Sequence, residues 1–418
     1  MKRVLLVSHN FPPTAGPESL LVRLNAEFLH RAGWEVRVLT TTSAHTNQSA
    51  DETLLDGLPE EIIVDRVASP EGVLAAAYPR IGKRLVVFAG RNVLPEVYLP
   101  WFLPAMKRAE EIVAEWKPSV LYSRATKHVS NVVGWRLKRK TGLPWVAHFS
   151  DLWISSGLYK SPLQRLLGWP LEKRILRDAD ALVFVTEQAA ERALRNHPSS
   201  WRKRAHIIPH GYAPLPDSLG SPGNNAAGRR ALKMVHAGAF YQAMREPDTL
   251  IEALRRLHEQ TPLDGRLELS CFGADTVAYQ HQIDAAGLGR IVRLEPALPF
   301  ETCQKRIANS DLILVIDSAG FEGIFLPTKL IEGFAYQKPV LGLAEPNSAV
   351  ARTLQSVGQA GADLNQPDQI AERIAGLLGD WEDGRWGLSP EQSTLLKGFE
   401  LDRVNLPLAE ILDRLSGA

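Results

Sequence analysis

Cysteine is almost missing from this sequence: Cys271 and Cys303 stand alone among 418 residues. Two isolated thiols exclude a disulfide framework and give no metal-ligand spacing, as expected of a reducing compartment. Each reads as a small core residue. Long hydrophobic runs are missing too. No stretch approaches the roughly twenty apolar residues of a spanning helix. The opening MKRVLLVSHNFPP has neither the apolar length nor the small-residue cleavage site of a signal peptide. The expected location is therefore the cytoplasm. Several chemical signatures are also absent. No GxGxxG follows a strand, and there is no GxxxxGK[ST] loop, no GxSxG elbow and no paired-histidine metal motif. His148 and Asp151 lie close together without a third ligand at matching spacing, so no metal is expected.

Net charge is nearly absent as well, at +1, but it is divided unevenly. Residues 1–210 hold 29 Lys and Arg against 20 Asp and Glu, and the remainder holds 19 against 27. A basic first half suits an anionic partner, either a membrane surface or a charged substrate, and solvated surface charge is the plain alternative.

What is present is a repeating alternation. RVLLVSH, EVRVLTT, EIIVDRV, SVLYSR, PWVAHFS and ALVFVT read as strands in the first half. LKMVHAG, RLELSCF, IVRLEPA, DLILVID and PVLGLA do so in the second. Near-continuous apolar strands suit a parallel sheet covered on both faces. Amphipathic segments such as SLLVRLNAEFLHRAG and DTLIEALRRLHEQ separate them. The chain is too long for one ordinary core, so two doubly wound α/β domains are expected, with a ligand site in the cleft between them. The expected boundaries are 1–205, a Pro/Gly/Ser/Asn-rich linker over 206–231, a second domain over 232–385, and an amphipathic tail over 386–418.

Within DLILVIDSAGFEGIFLPTKLIEGFAYQKPVLGL an apolar run ends at Asp317, and a short helix is expected from about Thr328 to Gln337. Lys329 is unfavourable in a first helical turn, where the positive dipole end favours anions. Glu332 lies four residues after Thr328, one too far for a capping box. With Tyr336 these two residues share the less apolar face. A lysine at a helix N-terminus is a site for phosphate, and a weak surface ion pair is the bland alternative. Gly16, between the first strand and its helix, permits close approach of a ligand to the main chain, or is a plain turn glycine. Arg245 follows the strand MVHAGAF in the same relative position, as a phosphate ligand or a flexible surface arginine.

Taken in order along nearly the whole chain, these residues resemble the family 4 glycosyltransferases. The resembling segments are HNFPPTAGPESLLVRLNAEFLHRAGWEVRVLT, PWVAHFSDLW, IIPHGYAP, MVHAGAFYQAMREPDTLIEAL and FLPTKLIEGFAYQKPVLGL. The last is closest to members carrying Pro-Ser/Thr-Lys before the glutamate. The resemblance implies the GT-B fold, two Rossmann-like domains facing a cleft with the C-terminal helix crossing back to the first. It implies retaining transfer of a sugar from a nucleotide diphosphate-sugar to a saccharide or lipid-linked glycan, with no cofactor beyond the donor. Glu332 then holds the ribose, Arg245 and Lys329 meet the diphosphate, and the Gly16 loop approaches the phosphates. Three positions depart from the family pattern. His210 replaces a commoner asparagine, Ile324 stands where a first glutamate is frequent, with Glu322 two residues away, and Ala239 replaces a strand-end arginine.

In the implied fold His148 and Asp151 face the sugar. Asp151 orients an acceptor hydroxyl or stabilises oxocarbenium-like charge, and His148 bonds a sugar hydroxyl. The structural alternatives are that Asp151 caps LWISSG and His148 is a satisfied core histidine. On the acceptor side, Trp101 and Trp153 are candidates, with Tyr159, for stacking on a sugar ring, against ordinary core packing. Basic and aromatic residues alternate from Arg80, Lys83, Arg84, Phe88 and Arg91 to Tyr98, Trp101 and Phe102, as at the inner face of a membrane. Nucleic acid is not among the expected partners. The competing readings are a sugar-nucleotide epimerase of the same fold and a non-catalytic nucleotide-sugar-binding protein.

Overall fold

The structure, a computed structural model, describes residues 2–42, 50–70, 73, 84, 88, 92, 94–159, 161–215, 230–240 and 245–417. The chain divides into two compact units, residues 1–210 with 401–418, and residues 211–400.

The first unit is built on a seven-stranded parallel sheet: β1 (Arg3–Val7), β2 (Glu35–Thr41), β3 (Ile63–Val67), β4 (Val120–Ala125), β5 (Trp145–Phe149), β6 (Ala181–Phe184) and β7 (Ala205–Ile207), in the order 3-2-1-4-5-6-7. The central strands β1, β4, β5 and β6 are buried almost throughout, because helices cover both faces. Val4 pairs with Val36 on one side and Val120 on the other. Here strand order reverses, making β1/β4 the switch point where ligands of open α/β sheets gather. The helices of this unit include α1 (Pro17–Arg31), α2 (Phe102–Trp116), α3 (Val129–Thr141) and α4 (Pro162–Asp178).

The second unit carries a six-stranded parallel sheet of β8 (Leu232–Ala237), β9 (Leu267–Phe272), β10 (Val292–Glu295), β11 (Leu312–Ile316), β12 (Val340–Ala344) and β13 (Ala360–Asp363), in the order 10-9-8-11-12-13. Its switch point is β8/β11, where Leu312 pairs with Met234. Leu232, Met234, Leu269 and Leu314 face a core shared with α5 (Asp248–Gln260) and the helix Pro367–Glu382. The helix α6 (Thr328–Ala335) follows β11.

The doubly wound α/β expectation holds in both units, and all eleven anticipated strands are present. The two strands not expected from the sequence, β7 and β13, are short and outermost. AHI and AGAD lack the branched apolar run that a doubly covered strand needs. The tail expected as one segment over 386–418 divides at residue 400. Only the helix α7 (Leu401–Ser416) lies in the first unit, where Asp402 pairs with Arg31 at 2.5 Å and Asp413 with Lys2 at 2.7 Å. Of the linker, residues 216–229 lie outside the described residues.

Candidate functional site

In the second unit the β8 strand leaves the sheet at Gly238 and Ala239. The loop after β11 carries Asp317 and Ser318, then turns through Gly320, Glu322 and Gly323, all at positive φ. Pro327 stands before the first turn of α6, and no side chain caps it. Lys329 therefore enters a helix whose N–H groups lack side-chain acceptors. Its ammonium reaches back over the end of β8. A Cβ on Gly238 would collide with Lys329 Nζ and lie 2.8 Å from its Cε. A Cβ on Gly273, after β9, would in turn meet the main chain of Gly238 and Ala239. Glycines on two adjacent strand ends thus make the room that Lys329 occupies.

Arg245 is buried, and its Nη2 donates to Ser318 Oγ at 3.1 Å. Burial lowers the Lys329 ammonium to about 8, and the Arg245 guanidinium pushes the same way. Glu332 is partly buried. Burial raises its carboxyl above the usual range, opposed by Lys329 and by a hydrogen bond from Thr328. Lys329 and Glu332 do not close a salt bridge with each other. Asp317, buried behind Ser318, is pushed up to about 6 by its burial, and its Oδ1 accepts from Ser318 N at 2.7 Å. His236, on β8, is held neutral by burial and by Lys329, its ring stacked on Phe240 at 5.1 Å. A cavity of about 170 Å³ lies beside Arg245 and Asp317.

The structure therefore brings Lys329, Glu332 and Arg245 to one switch point. Asp317 and Ser318 belong with them. Asp317 was legible only as the end of a strand, and Ser318 as a loop residue. Ile324 is buried while Glu322 is exposed with φ 54°, so the two positions are not interchangeable.

At the first unit's switch point the arrangement differs. Gly16 stands before α1 with φ 136°, is exposed, and has open space where a Cβ would lie. Backbone conformation, not crowding, requires glycine there. Glu18, in the first turn of α1, is turned inward. It accepts from Ser150 Oγ at 2.9 Å and from Arg124 Nε at 3.3 Å. Arg124 Nη2 lies 3.3 Å from His210 Nδ1, and burial with Arg124 holds that imidazole neutral at about 3. His148 is buried, its Nδ1 2.8 Å from the Tyr122 hydroxyl, which also meets the Asn25 amide at 2.8 Å. Burial, then Arg124, keeps His148 neutral. Asp151 follows β5 and makes no side-chain hydrogen bond among the described residues. Burial raises its carboxyl, against the pull of Lys127 and Arg124. Asp151 does not cap the short helical turn at Ile154–Ser156, whose preceding residue is Trp153. Glu18 and Arg124 escaped the sequence reading. The available signals were an acid two residues after Gly16 and an arginine near the end of an apolar strand.

Two expectations on the acceptor side are corrected. Trp101 has no exposed surface; its indole N–H donates to Val67 O at 3.2 Å and its ring meets His9 edge-on at 5.2 Å. Trp153 is also fully buried, donating to Pro95 O at 3.1 Å and stacked on His128 at 5.2 Å. A tryptophan with both its N–H and its faces engaged offers no ring to a sugar. Tyr159 is partly buried. Of the basic and aromatic stretch, Arg80, Lys83 and Arg91 lie outside the described residues, while Phe88 is exposed. Among the described residues no helix is long and apolar enough to cross a membrane.

Two parallel Rossmann-like units, each gathering polar side chains at its switch point, define the GT-B class. Within it, residues 21–211 match the family model described as a glycosyl transferase 4-like domain. By this match the first unit is similar to the glycosyltransferase 4-like domains. Solved structures show the same fold along its whole length. Sucrose-phosphate synthase from Thermosynechococcus elongatus is 17% identical with a TM-score of 0.70, over 100% of both chains. HepE from Anabaena, in complex with UDP-glucose, is 17% identical with a TM-score of 0.66, over 99% of this chain and 100% of that one. A putative UDP-N-acetylglucosamine 2-epimerase from Listeria monocytogenes is 12% identical with a TM-score of 0.59, over 100% of this chain and 98% of that one. No curated protein matches the chain.

Proposed function

We propose that the second unit binds a nucleotide diphosphate-sugar and that the enzyme moves its sugar, with retention, to a saccharide or lipid-linked glycan. One observation carries the reading. Lys329 and Arg245 are held together at the β8/β11 switch point, where burial and then the Arg245 guanidinium disfavour the charge on Lys329. Two cations concentrated beside uncapped helix N–H groups are stabilised by an anion of two or more charges. A diphosphate supplies these, and Glu332 alongside can accept both hydroxyls of a ribose. In the leaving step Lys329, Arg245 and the α6 amides offset the charge that builds on the diphosphate, a role that needs no metal. Asp151, with an unengaged carboxyl, is the group we assign to the acceptor hydroxyl or the oxocarbenium-like charge. His148 is assigned to a sugar hydroxyl through its remaining ring nitrogen. HepE, of the same fold, was solved with UDP-glucose, which makes UDP-sugars the first donors to try.

The test is thermal unfolding with a panel of nucleoside diphosphates and their sugars. A ligand of the native state adds about 2.7 kcal/mol at about one hundred times its Kd. One nucleotide should stabilise the wild type and not Glu332→Ala. If no nucleotide shifts either protein, the donor site is misplaced. Because a putative epimerase shares the fold, products decide between the activities. Transfer needs an acceptor and gives a new glycoside, whereas epimerisation consumes the nucleotide sugar alone.

A further inference from the structure

The α4 helix is packed inside out. Its buried side is Gln164, Gly168, Glu172, Ile175 and Leu176, the i, i+4, i+8, i+11, i+12 stripe of one helical face. Two of these five residues are polar, and each has a partner that fixes the helix in place. Gln164 Nε2 donates to Leu94 O at 2.9 Å. Glu172 accepts from Ser155 Oγ at 2.6 Å and Ser155 N at 3.1 Å. Gly168 lets the helix settle on the chain beneath it, since a Cβ there would lie 2.5 Å from Ile154 Cδ1 and 3.2 Å from Pro95 Cβ. Held in this register, the helix turns the large apolar residues of its first two turns outward, while Ile175 and Leu176 further along stay buried. Leu166 is 70% exposed, Leu163, Leu167 and Trp169 are each more than 40% exposed, and Leu158 lies exposed just before the helix. Single exposed leucines are ordinary, but four large apolar side chains on two turns mark an interaction surface.

The charges beside them indicate what that surface meets. Arg165, Lys173 and Arg174 are exposed on the same helix, and its first four turns present no carboxylate to solvent, Glu172 being buried. Arg174 rests over the Trp135 ring at 5.9 Å. Arg136, on the adjoining α3, adds another exposed cation. An apolar patch followed along the helix by cations is the pattern of a helix lying in the headgroup layer of an anionic bilayer. A second copy of this face would bring like charges together, which disfavours self-association through it.

We propose that α4 docks the protein on an anionic lipid surface, with Leu163, Leu166, Leu167 and Trp169 entering the headgroup boundary and Arg165, Lys173 and Arg174 meeting lipid phosphates. The docking surface differs from the one the sequence reading placed at residues 80–102. It does not depend on the donor site, and it fits a lipid-linked acceptor.

The experiment is co-sedimentation of the full chain with vesicles of phosphatidylcholine alone or mixed with phosphatidylglycerol, without nucleotide. Binding is expected to the mixed vesicles only and to weaken as salt is raised. Lys173→Glu with Arg174→Glu should weaken it at least about 25-fold, since each basic residue near such a surface contributes about a fivefold factor. Leu166→Glu with Leu167→Glu should weaken it about a hundredfold. Both double variants should unfold at the wild-type temperature and keep the nucleotide shift, because the altered side chains are solvent-exposed. The proposal is overturned if the wild type ignores mixed vesicles, or if the leucine variant still binds them. It is also overturned if the leucine variant turns a wild-type dimer into a monomer while vesicles are never bound. None of these results bears on the donor site, whose separate readout is the nucleotide shift.

Discussion

The two switch points of this molecule are built on the same sheet geometry and furnished oppositely. In the first unit, the buried charges and imidazoles have partners within the protein: Glu18 has Arg124 and Ser150, and His148 has Tyr122. In the second, the Arg245 guanidinium crowds the Lys329 ammonium, and Glu332 alongside does not close a salt bridge with Lys329. The first cluster is complete as it stands, apart from Asp151 and the buried His148 Nε2, which has no hydrogen-bond partner among the described residues. In the second, Lys329 is the member whose charge an anion would stabilise. A satisfied buried network stabilises and orients, whereas an unsatisfied one stores an electrostatic cost that a ligand relieves.

The sharpest way to break that contrast is to remove one member from each cluster. Arg124→Met leaves the Glu18 carboxyl buried without its cation, and loss of one partner of a buried pair costs roughly 3–5 kcal/mol. Chemical denaturation should show that loss, with the nucleotide shift of the surviving folded protein unchanged. Lys329→Met should do the reverse. The folded ammonium lies near 8 and the unfolded one near 10.5, so the unfolded state binds more protons between these values. Burying Lys329 therefore destabilises the free protein at neutral pH, and stability recovers as pH rises through that window. The variant should gain on the order of 2 kcal/mol in the absence of ligand and lose the nucleotide shift. A free protein that is less stable after this change would place Lys329 with the satisfied networks and sink the contrast.

The same contrast explains what the sequence made legible. Strand after strand could be read because a doubly covered parallel strand must be continuously apolar, as in LILVI and LLVSH. Lys329 stood out because a lysine in a first helical turn is locally wrong, and a local anomaly points to a ligand without knowledge of the fold. Glu18 and Arg124 gave no such anomaly. They neutralise each other across more than one hundred residues, and only the tertiary structure reveals the pair. Trp101 and Trp153 failed as sugar platforms for a related reason. Residue type tells that an indole needs an acceptor, but not that Val67 O and Pro95 O lie within reach. The α4 register was hidden in the same way, being set by Leu94 O and Ser155 and not by its own leucines.

A smaller change sharpens the second cluster without altering its charges. Gly238→Ala places a methyl where the Lys329 ammonium lies, and the colliding atoms are the far end of a flexible side chain. The fold should persist within about 0.5 kcal/mol, while nucleotide affinity drops about tenfold because the cation is displaced rather than deleted. Calorimetric titration separates this result from a collapsed site, which would lose binding entirely.

The last and smallest effect is a dependence on pH. A diphosphate is held by the protonated form of Lys329, and in the free protein that form titrates near 8. Above that value binding must draw a proton from solution, so affinity falls as pH rises, by about threefold between about pH 7.5 and 8.5. Lys329→Arg keeps its charge across this range and should bind with a flat profile, whatever its absolute affinity. A wild-type profile that is equally flat would mean that the ammonium keeps its ordinary affinity for protons. Arg245 would then not crowd it, and the electrostatic cost attributed to the free site would not exist.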